Sequence, residues 1–269
     1  MSGIDRITGR FEELHGRVGL MTHAVVGYPD LHSSARIFSS MASSGASFIE
    51  AQLPFSDPTA DGPSIVQANH TALRAGSTTF SSLDLLTSLR KDIDIPILIM
   101  SYLNPLLAFG IDAILDRAAR DGFDGFIVPD YPDDESELDL EAKCAARGLA
   151  LVPLIAPATS LIRARALAEG SASPFIYAVM RLGVTGRKTE IADDVILRLG
   201  ALREATGRRV AAGFGIREGS QIAALAGRTD CAIVGSALID AIGEALAAGR
   251  DPAAAVGAKV RSLVDAQAF

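Results

Sequence analysis

The sequence predicts an α/β protein: a single (β/α)8 TIM barrel with a short N-terminal helix, spanning residues 1–269. Short apolar segments alternate with helical patterns through eight successive units, and no linker or low-complexity segment interrupts them. Strands that are each followed by a helix pair in parallel. Eight such units in 269 residues fit a closed barrel. The alternative is a doubly wound open sheet, which the same alternation can also build.

The strands are predicted where short aliphatic runs end at glycine or proline. The first run, GLMTHAVV, ends at Gly27-Tyr28-Pro29, and the second leads directly into Pro54. The predicted strands cover residues 19–26, 47–53, 95–100, 125–129, 149–155, 174–180, 208–213 and 231–235.

The helices are predicted from apolar residues at helical spacing, with glycine after most of them. Residues 3–15 form the first, because the isoleucines, Phe11 and Leu14 fall on one face. The acidic run at 133–135 suits the positive end of a helix dipole and begins another helix, which Gly148 ends. The other predicted helices cover 31–43, 63–75, 79–91, 111–121, 159–169, 190–205 and 217–226, then a helix to 246 and one over 252–267.

Composition and charge limit the classes of function that we expect for this chain. The net charge of −7 favours neither a nucleic-acid nor a membrane-surface role. Cys144 and Cys231 lie far apart and outside any CxxC pattern, as expected of buried thiols in a reducing compartment. The charged N-terminus has no signal-peptide core, and no apolar run approaches membrane-spanning length. We therefore expect a cytoplasmic protein.

The stretch at 50–63, EAQLPFSDPTADGP, carries the first chemical signal. Alternation places Glu50 and Gln52 on one face of a strand whose other face is purely aliphatic. A carboxylate in the middle of an apolar strand is costly to bury unless it is paired. Two prolines stiffen the following loop and carry Asp61 back over the strand end. The two carboxylates predict an acid–base pair.

Further site elements are expected at the same end of the barrel, because active sites of this fold lie at the carboxyl ends of the strands. Alternation on the sixth strand lets Tyr177 point into the lumen. Glycines at 213–216 and 234–237 follow the last two strands, the usual phosphate site of this barrel, and Ser236 opens a helix there. The glycines at 183–186 add backbone donors and a possible lid.

Each signal also has a structural interpretation. Glu50 alone is compatible with a structural ion pair, although no lysine or arginine lies in its strand or loop. Tyr177 alone fits a core tyrosine, and Gly213-Phe214-Gly215 alone fits an ordinary turn. The four histidines show no metal-ligand spacing, and the lysines lie outside the strands. We therefore predict no metal, no Schiff-base lysine and no cofactor.

The motif PFSDPTADGP resembles the signature of the tryptophan synthase alpha chain family. The resemblance extends over nearly the whole chain, through the motifs NP, PDYP, RLGVTG, GFGI and GSA at 104–105, 129–132, 181–186, 213–216 and 235–237. It implies a (β/α)8 barrel that cleaves indole-3-glycerol phosphate to indole and glyceraldehyde 3-phosphate.

The resemblance also implies roles for individual residues. Glu50 is then the residue that protonates the indole ring at C3, Asp61 takes up the indole N–H proton, and Tyr177 is the active-site tyrosine. Such a cleavage needs a proton delivered to carbon and one removed from nitrogen, so one lumen acid and one opposing carboxylate are the minimum. The implied phosphate contacts are Gly186, Gly215, Gly235 and Ser236. The implied indole pocket and lid are His23, Gln52, Met100, Tyr102, Ile127 and Thr185.

Three positions depart from the family pattern. Gln52 stands where a small residue is usual, His23 where many members carry an aromatic residue, and Leu182 where a small polar residue is usual. His23 and Gln52 are both expected to face the lumen near Glu50, which makes the indole pocket more polar and tighter than usual.

The resemblance further implies a partner, a tryptophan synthase beta chain in an α2β2 heterotetramer. The contact surface is expected at the barrel mouth, where Asp57-Pro58 projects outward. Its implied residues are Asp57, Pro58, Asn104, Pro105, Asp130 and Pro132. Two alternatives stay open: a stand-alone indole-3-glycerol phosphate lyase, and a non-catalytic regulatory partner of a beta chain. Another isomerase of the phosphate-binding barrels fits the EAQLPFSDP run poorly.

Overall fold

Parallel strands form one sheet that curls into a barrel. The structure, a computed structural model, describes residues 1–132, 137–180, 193–213 and 215–266. The strands are β1 (Gly19–Val25), β2 (Phe48–Gln52), β3 (Ile97–Met100), β4 (Gly125–Ile127), β5 (Ala150–Leu151), β6 (Leu154–Ile155), β7 (Phe175–Val179), β8 (Arg209–Gly213) and β9 (Cys231–Val234). Their order in the sheet is β5-β4-β3-β2-β1-β9-β8-β7-β6. The predicted (β/α)8 barrel is confirmed.

The barrel closes through β5 and β6, which are two halves of the single strand predicted over 149–155. The Val152 N–H donates to the Phe126 carbonyl on the β4 side, at 2.9 Å. The Pro153 carbonyl accepts from the Tyr177 N–H on the β7 side, also at 2.9 Å. Proline has no N–H to add to a ladder, and the strand changes neighbours there. The prediction of one continuous strand was wrong at this point.

Helices cover the outside of the barrel, and one closes its lower end. They are α1 (Gly3–Glu13), α2 (Leu31–Ser43), α3 (Pro63–Arg74), α4 (Thr79–Leu89), α5 (Leu103–Phe109), α6 (Ile111–Asp121), α7 (Leu140–Ala146), α8 (Leu161–Gly170), α9 (Asp193–Thr206), α10 (Gly219–Ala223), α11 (Ser236–Ala247) and α12 (Pro252–Asp265). Within the described ranges, none of them is long and apolar enough to cross a membrane.

Two helices differ from the prediction. The sequence does not predict α5, whose Pro105 lies in the first turn, where a missing N–H leaves no helical bond unmade. Helix α7 begins at Leu140 and not in the acidic run, of which residues 133–136 lie outside the described residues. Asp139, directly before α7, has a left-handed backbone with φ of 45°, so a helix cannot continue through it from upstream.

Alternation along the strands separates two apolar clusters. Outward-facing residues of β2, such as Ile49 and Ala51, pack in the cluster between strands and helices. Inward-facing residues, such as Phe48 and Phe175, form a second cluster inside the barrel. Glu50 follows Phe48 by two residues and faces the lumen, as the alternation predicts.

Helix α1 closes the end of the barrel at which the strands begin. Ser2 caps the helix in a reciprocal capping box with Asp5. The Phe11 ring centroid lies 4.6 Å from that of Phe48 and 5.5 Å from that of Phe175. Because aromatic side chains fill this end, the space for a ligand lies at the opposite end.

Asp124 fastens α1 to the barrel wall. Its fully buried carboxylate accepts from Arg6 Nε at 2.6 Å and from the Ile97 N–H at 2.7 Å. Arg6 also donates to the carbonyls of Gly122 and Phe123. Burial raises the pKa of Asp124, and Arg6 and the Ile97 N–H offset part of that rise.

Asp124→Ala is expected to lower the free energy of unfolding by about 2–4 kcal/mol, because it leaves the Ile97 N–H without its buried acceptor and Arg6 without its carboxylate. Urea denaturation followed by circular dichroism measures the change. Asp84→Ala is the control: this side chain is 72% exposed in its ion pair with Arg117. Its loss should cost less than about 1 kcal/mol. Equal losses in both variants would contradict the assignment.

Candidate active site

A cavity of about 690 Å³ opens at the carboxyl ends of the strands. Its size suits a small-molecule ligand, and its position is that of active sites in this fold. Its wall includes His23, Glu50, Asp61 and Tyr177, which come from three strands and one loop. The structure thus brings together residues that lie far apart in the sequence.

Glu50 lies beside His23 in the lumen. The two residues are register partners on β2 and β1, with 3% and 4% of their surface exposed. His23 Nδ1 lies 3.4 Å from Glu50 Oε1. Burial disfavours the charged imidazole, but the charges of Glu50 and Asp61 outweigh it, so the pKa of His23 is raised. Within the described residues, His23 Nε2 and Glu50 Oε2 have no hydrogen-bond partner.

Asp61 is held over the end of β2 by two side chains. Gln52 Nε2 donates to Asp61 Oδ2 at 2.6 Å, and the Tyr102 hydroxyl donates to the same oxygen at 3.1 Å. The Tyr102 oxygen accepts from the Ala60 N–H at 2.9 Å, which ties the loop backbone to the same point. Burial raises the pKa of Asp61, while His23, Gln52 and Tyr102 oppose that rise.

Tyr177 faces the lumen from β7 and lies against Gly213 of β8. A Cβ atom on Gly213 would sit 2.9 Å from the Tyr177 hydroxyl oxygen, so this approach requires glycine. Burial raises the pKa of Tyr177 well above its ordinary value, and the charges of Glu50 and Asp61 add to the effect. The phenol therefore keeps its proton at neutral pH and is a hydrogen-bond donor.

Two glycine turns and a helix N-terminus lie at the mouth of the cavity. Gly215 follows β8 with φ of 78°, a backbone conformation that favours glycine. Gly235 follows β9, and α11 begins at Ser236. All three residues line the cavity, where the first N–H groups and the dipole of α11 favour an anion. Phe214 lies outside the described residues.

The predicted indole-pocket residues fall into three groups. Met100 and Ile127 line the cavity together with His23. Gln52 and Tyr102 lie beneath the Asp61 loop, where they bind its carboxylate, and the wall is built from other residues. That these two also contact the indole ring stays a prediction. Thr185 lies outside the described residues, as do Leu182 and the predicted phosphate contact Gly186.

The predicted partner surface is only partly exposed. Asp57, Asn104, Asp130 and Pro132 are exposed, and Pro105 is half-buried in α5. Pro58 is buried, so the expectation that it projects outward was wrong. Asp130 also has a local structural role, because its carboxylate accepts from the Leu103 N–H at 2.8 Å and caps the start of α5.

The cavity also reaches residues that the sequence does not single out. It extends sideways past Pro153 and Leu167 to Glu141 on α7. Burial raises the pKa of Glu141 to about 7. Pro153, which lies where the strand changes neighbours between β5 and β6, is part of the cavity lining. In the part of the chain that the structure describes, no group of three or more His, Cys, Asp or Glu side chains is arranged to hold a metal ion.

Comparison with known proteins decides the family. The family model described as tryptophan synthase alpha chain matches residues 12–268. The chain belongs to this family. Among its curated relatives, the tryptophan synthase alpha chain of Carboxydothermus hydrogenoformans is 43% identical over 227 residues, which cover 84% of each chain. That of Acidiphilium cryptum is 40% identical over 259 residues, covering 95% of this chain and 93% of the relative.

Solved structures of the same family share the fold. The tryptophan synthase alpha chain of Legionella pneumophila superimposes with a TM-score of 0.88 at 27% identity, covering 100% of this chain and 98% of that one. A chain of Mycobacterium tuberculosis tryptophan synthase superimposes with a TM-score of 0.87 at 30% identity, covering 98% of each. The tryptophan synthase alpha fold thus extends over essentially the whole length of the chain.

Proposed function

We propose that the chain cleaves indole-3-glycerol phosphate to indole and glyceraldehyde 3-phosphate, as the alpha subunit of a tryptophan synthase. One observation supports this beyond family membership: two buried carboxylates, Glu50 and Asp61, share a cavity whose mouth carries glycine turns and a helix N-terminus. A phosphorylated substrate with an aromatic ring fits such a cavity, with its anion at the mouth and its ring in the lumen.

The proposed reaction uses Glu50 and Asp61 as separate proton carriers. Glu50 delivers a proton to C3 of the indole ring while Asp61 accepts the proton of the indole nitrogen. The bond from C3 to the glycerol chain then breaks, its electron pair returns to the ring, and the chain hydroxyl becomes an aldehyde. Glu50 takes the hydroxyl proton, and Asp61 returns its proton to the nitrogen. Both carboxyl groups end the cycle as they began it.

Tyr177 and the mouth residues hold the substrate in this scheme. Tyr177 keeps its proton, so it donates a hydrogen bond to the reacting chain without taking part in proton exchange. The backbone N–H groups at Gly215, Gly235 and Ser236 bind the phosphate, aided by the dipole of α11. Gly186 and Thr185 are proposed from the family resemblance alone, since they lie outside the described residues.

Gly235→Val is expected to raise the KM for indole-3-glycerol phosphate about tenfold or more, because a branched side chain blocks the approach of the phosphate and crowds His23. A Cβ atom at this position already lies 3.2 Å from His23 Cδ2. Steady-state kinetics and titration with glyceraldehyde 3-phosphate measure the effect. Gly9→Val is the matched control, since a Cβ atom there meets nothing within 4 Å. Unchanged phosphate-ligand affinity in Gly235→Val would remove Gly235 from the site.

The function itself is tested by indole release from indole-3-glycerol phosphate by the purified chain, with and without a beta chain. Release that increases on addition of the beta chain supports the alpha-subunit role. Fast release that ignores the beta chain assigns a stand-alone lyase. No release under either condition, with activation of the beta chain retained, assigns a regulatory partner.

The proposal includes a tryptophan synthase beta chain as partner in the cytoplasm. The exposed residues Asp57, Asn104 and Pro132 lie beside the cavity mouth and form the proposed contact surface. The chain's net charge of −7 suits a small-molecule enzyme better than a nucleic-acid or membrane partner.

A further inference from the structure

Two side chains that depart from the family pattern, His23 and Gln52, occupy neighbouring lumen positions on β1 and β2. Each one contacts a different buried carboxylate. His23 Nδ1 lies 3.4 Å from Glu50 Oε1, and Gln52 Nε2 lies 2.6 Å from Asp61 Oδ2. Both side chains also have a buried polar atom without a hydrogen-bond partner in the described residues, His23 Nε2 and Gln52 Oε1.

These two atoms without a partner have complementary hydrogen-bonding roles: the imidazole nitrogen can donate and the amide oxygen can accept. Gln52 must turn its NH₂ group toward Asp61, because only that group donates to a carboxylate, and this leaves the amide oxygen on the other side. A protonated imidazole donates from both ring nitrogens. Gln52 acts on His23 in the sense expected of a hydrogen-bond acceptor, since it favours the protonated imidazole. The imidazole edge packs against Gly235, where a Cβ atom would lie 3.2 Å from Cδ2.

We propose that His23 and Gln52 form a polar bridge between the two buried carboxylates, in which His23 is the positioning residue for Glu50 and Gln52 is the positioning residue for Asp61. The order along the bridge is Glu50, His23, Gln52, Asp61, and the Tyr102 hydroxyl completes it by donating to Asp61. This inference rests on the proposed function for its catalytic consequence but not for its physical content.

The bridge gives Glu50 a store for its proton. Glu50 and His23 together hold one proton, which goes to C3 of the indole ring, and the proton of the chain hydroxyl replaces it. Because the pKa of His23 is raised by Glu50 and Asp61, His23 keeps its proton to higher pH than an isolated imidazole does. The Tyr177 phenol on β7 and the Cys231 thiol on β9 stay neutral because burial raises the pKa of each.

The first test detects the bridge by NMR and does not depend on catalytic activity. Nitrogen-15 NMR of labelled histidines follows the titration of His23 in the wild-type chain, in Glu50→Gln and in Gln52→Gly. The bridge predicts a lower His23 pKa in both variants, with the larger change in Glu50→Gln. That variant removes the negative charge beside the imidazolium, and Gln52→Gly removes a hydrogen-bond acceptor. His32, exposed on α2, is the internal control, and its signals should be the same in all three proteins. An unchanged His23 titration in either variant would overturn the bridge.

The second test is the pH profile of kcat in His23→Phe, with His32→Phe as the matched control. Loss of the proton store should move the basic limb of the profile to lower pH, so that the rate at pH 8 relative to that at pH 6 falls about tenfold. A rate loss of the same size at every pH would show a structural role only and would overturn the positioning role. A wild-type chain that releases no indole, yet shows the NMR shifts, would overturn the proposed function and leave the bridge standing.

Discussion

Glu50→Gln is expected to lower kcat for indole formation by about 10²–10⁴-fold while the protein stays folded. The amide has nearly the same shape as the carboxyl group but cannot deliver a proton to carbon and recover one from a hydroxyl. Glu50 is 3% exposed and faces the cavity, so bulk water cannot replace it easily. Indole release under saturating substrate measures the effect, and thermal unfolding checks the fold.

The control for this experiment is Glu13→Gln, which makes the same chemical change at the other end of the barrel. The Glu13 side chain is 67% exposed and pairs with Arg10 on the surface. Its loss should leave kcat within about twofold, because exposed pairs contribute little. A folded Glu50→Gln protein with half the wild-type turnover would reject Glu50 as the proton donor.

Much of the barrel follows from the spacing of apolar residues along the sequence and from the glycines and prolines that end its strands and helices. The strand alternation that places Glu50 and Tyr177 in the lumen holds because each strand has one face on the helices and one in the barrel. The carboxyl ends of parallel strands meet at one end of a barrel, so residues from distant segments share a cavity. The sequence therefore predicts at which end of the barrel the cavity lies.

The parts that could not be predicted depend on contacts between elements. Alternation put Gln52 in the lumen near Glu50, but its bond to Asp61 depends on how the loop folds back. Tyr102 likewise lies beneath that loop, a position that no local pattern encodes. Helix α5 escaped prediction because its cap comes from Asp130, which lies 27 residues from Leu103 in the chain. Proline in the first turn of a helix is also typical of a loop, so it does not by itself indicate that a helix begins.

Addition of a tryptophan synthase beta chain is expected to raise the lyase kcat by about 5–150-fold, and Asp57→Ala is expected to remove most of that activation. The structure offers a short path from surface to site. Asp57 is exposed, its carbonyl accepts from the Thr59 N–H, and the Pro58 carbonyl accepts from the Asp61 N–H at 3.0 Å. A partner that fixes Asp57 therefore also fixes the backbone that carries Asp61.

Comparing kcat with and without the beta chain tests whether the loop from Asp57 to Asp61 carries the activation. A partner shifts the loop only if it binds the active arrangement more tightly than the inactive one. Asp57→Ala should then lower kcat with saturating beta chain much more than kcat of the chain alone. Asp92 is exposed beyond the carboxyl end of α4, at the opposite end of the barrel. Asp92→Ala should therefore change neither of these two kcat values. Equal activation of wild type and Asp57→Ala would mean that the partner acts on the site by another route, because Asp61 would then be ordered without a contact at Asp57.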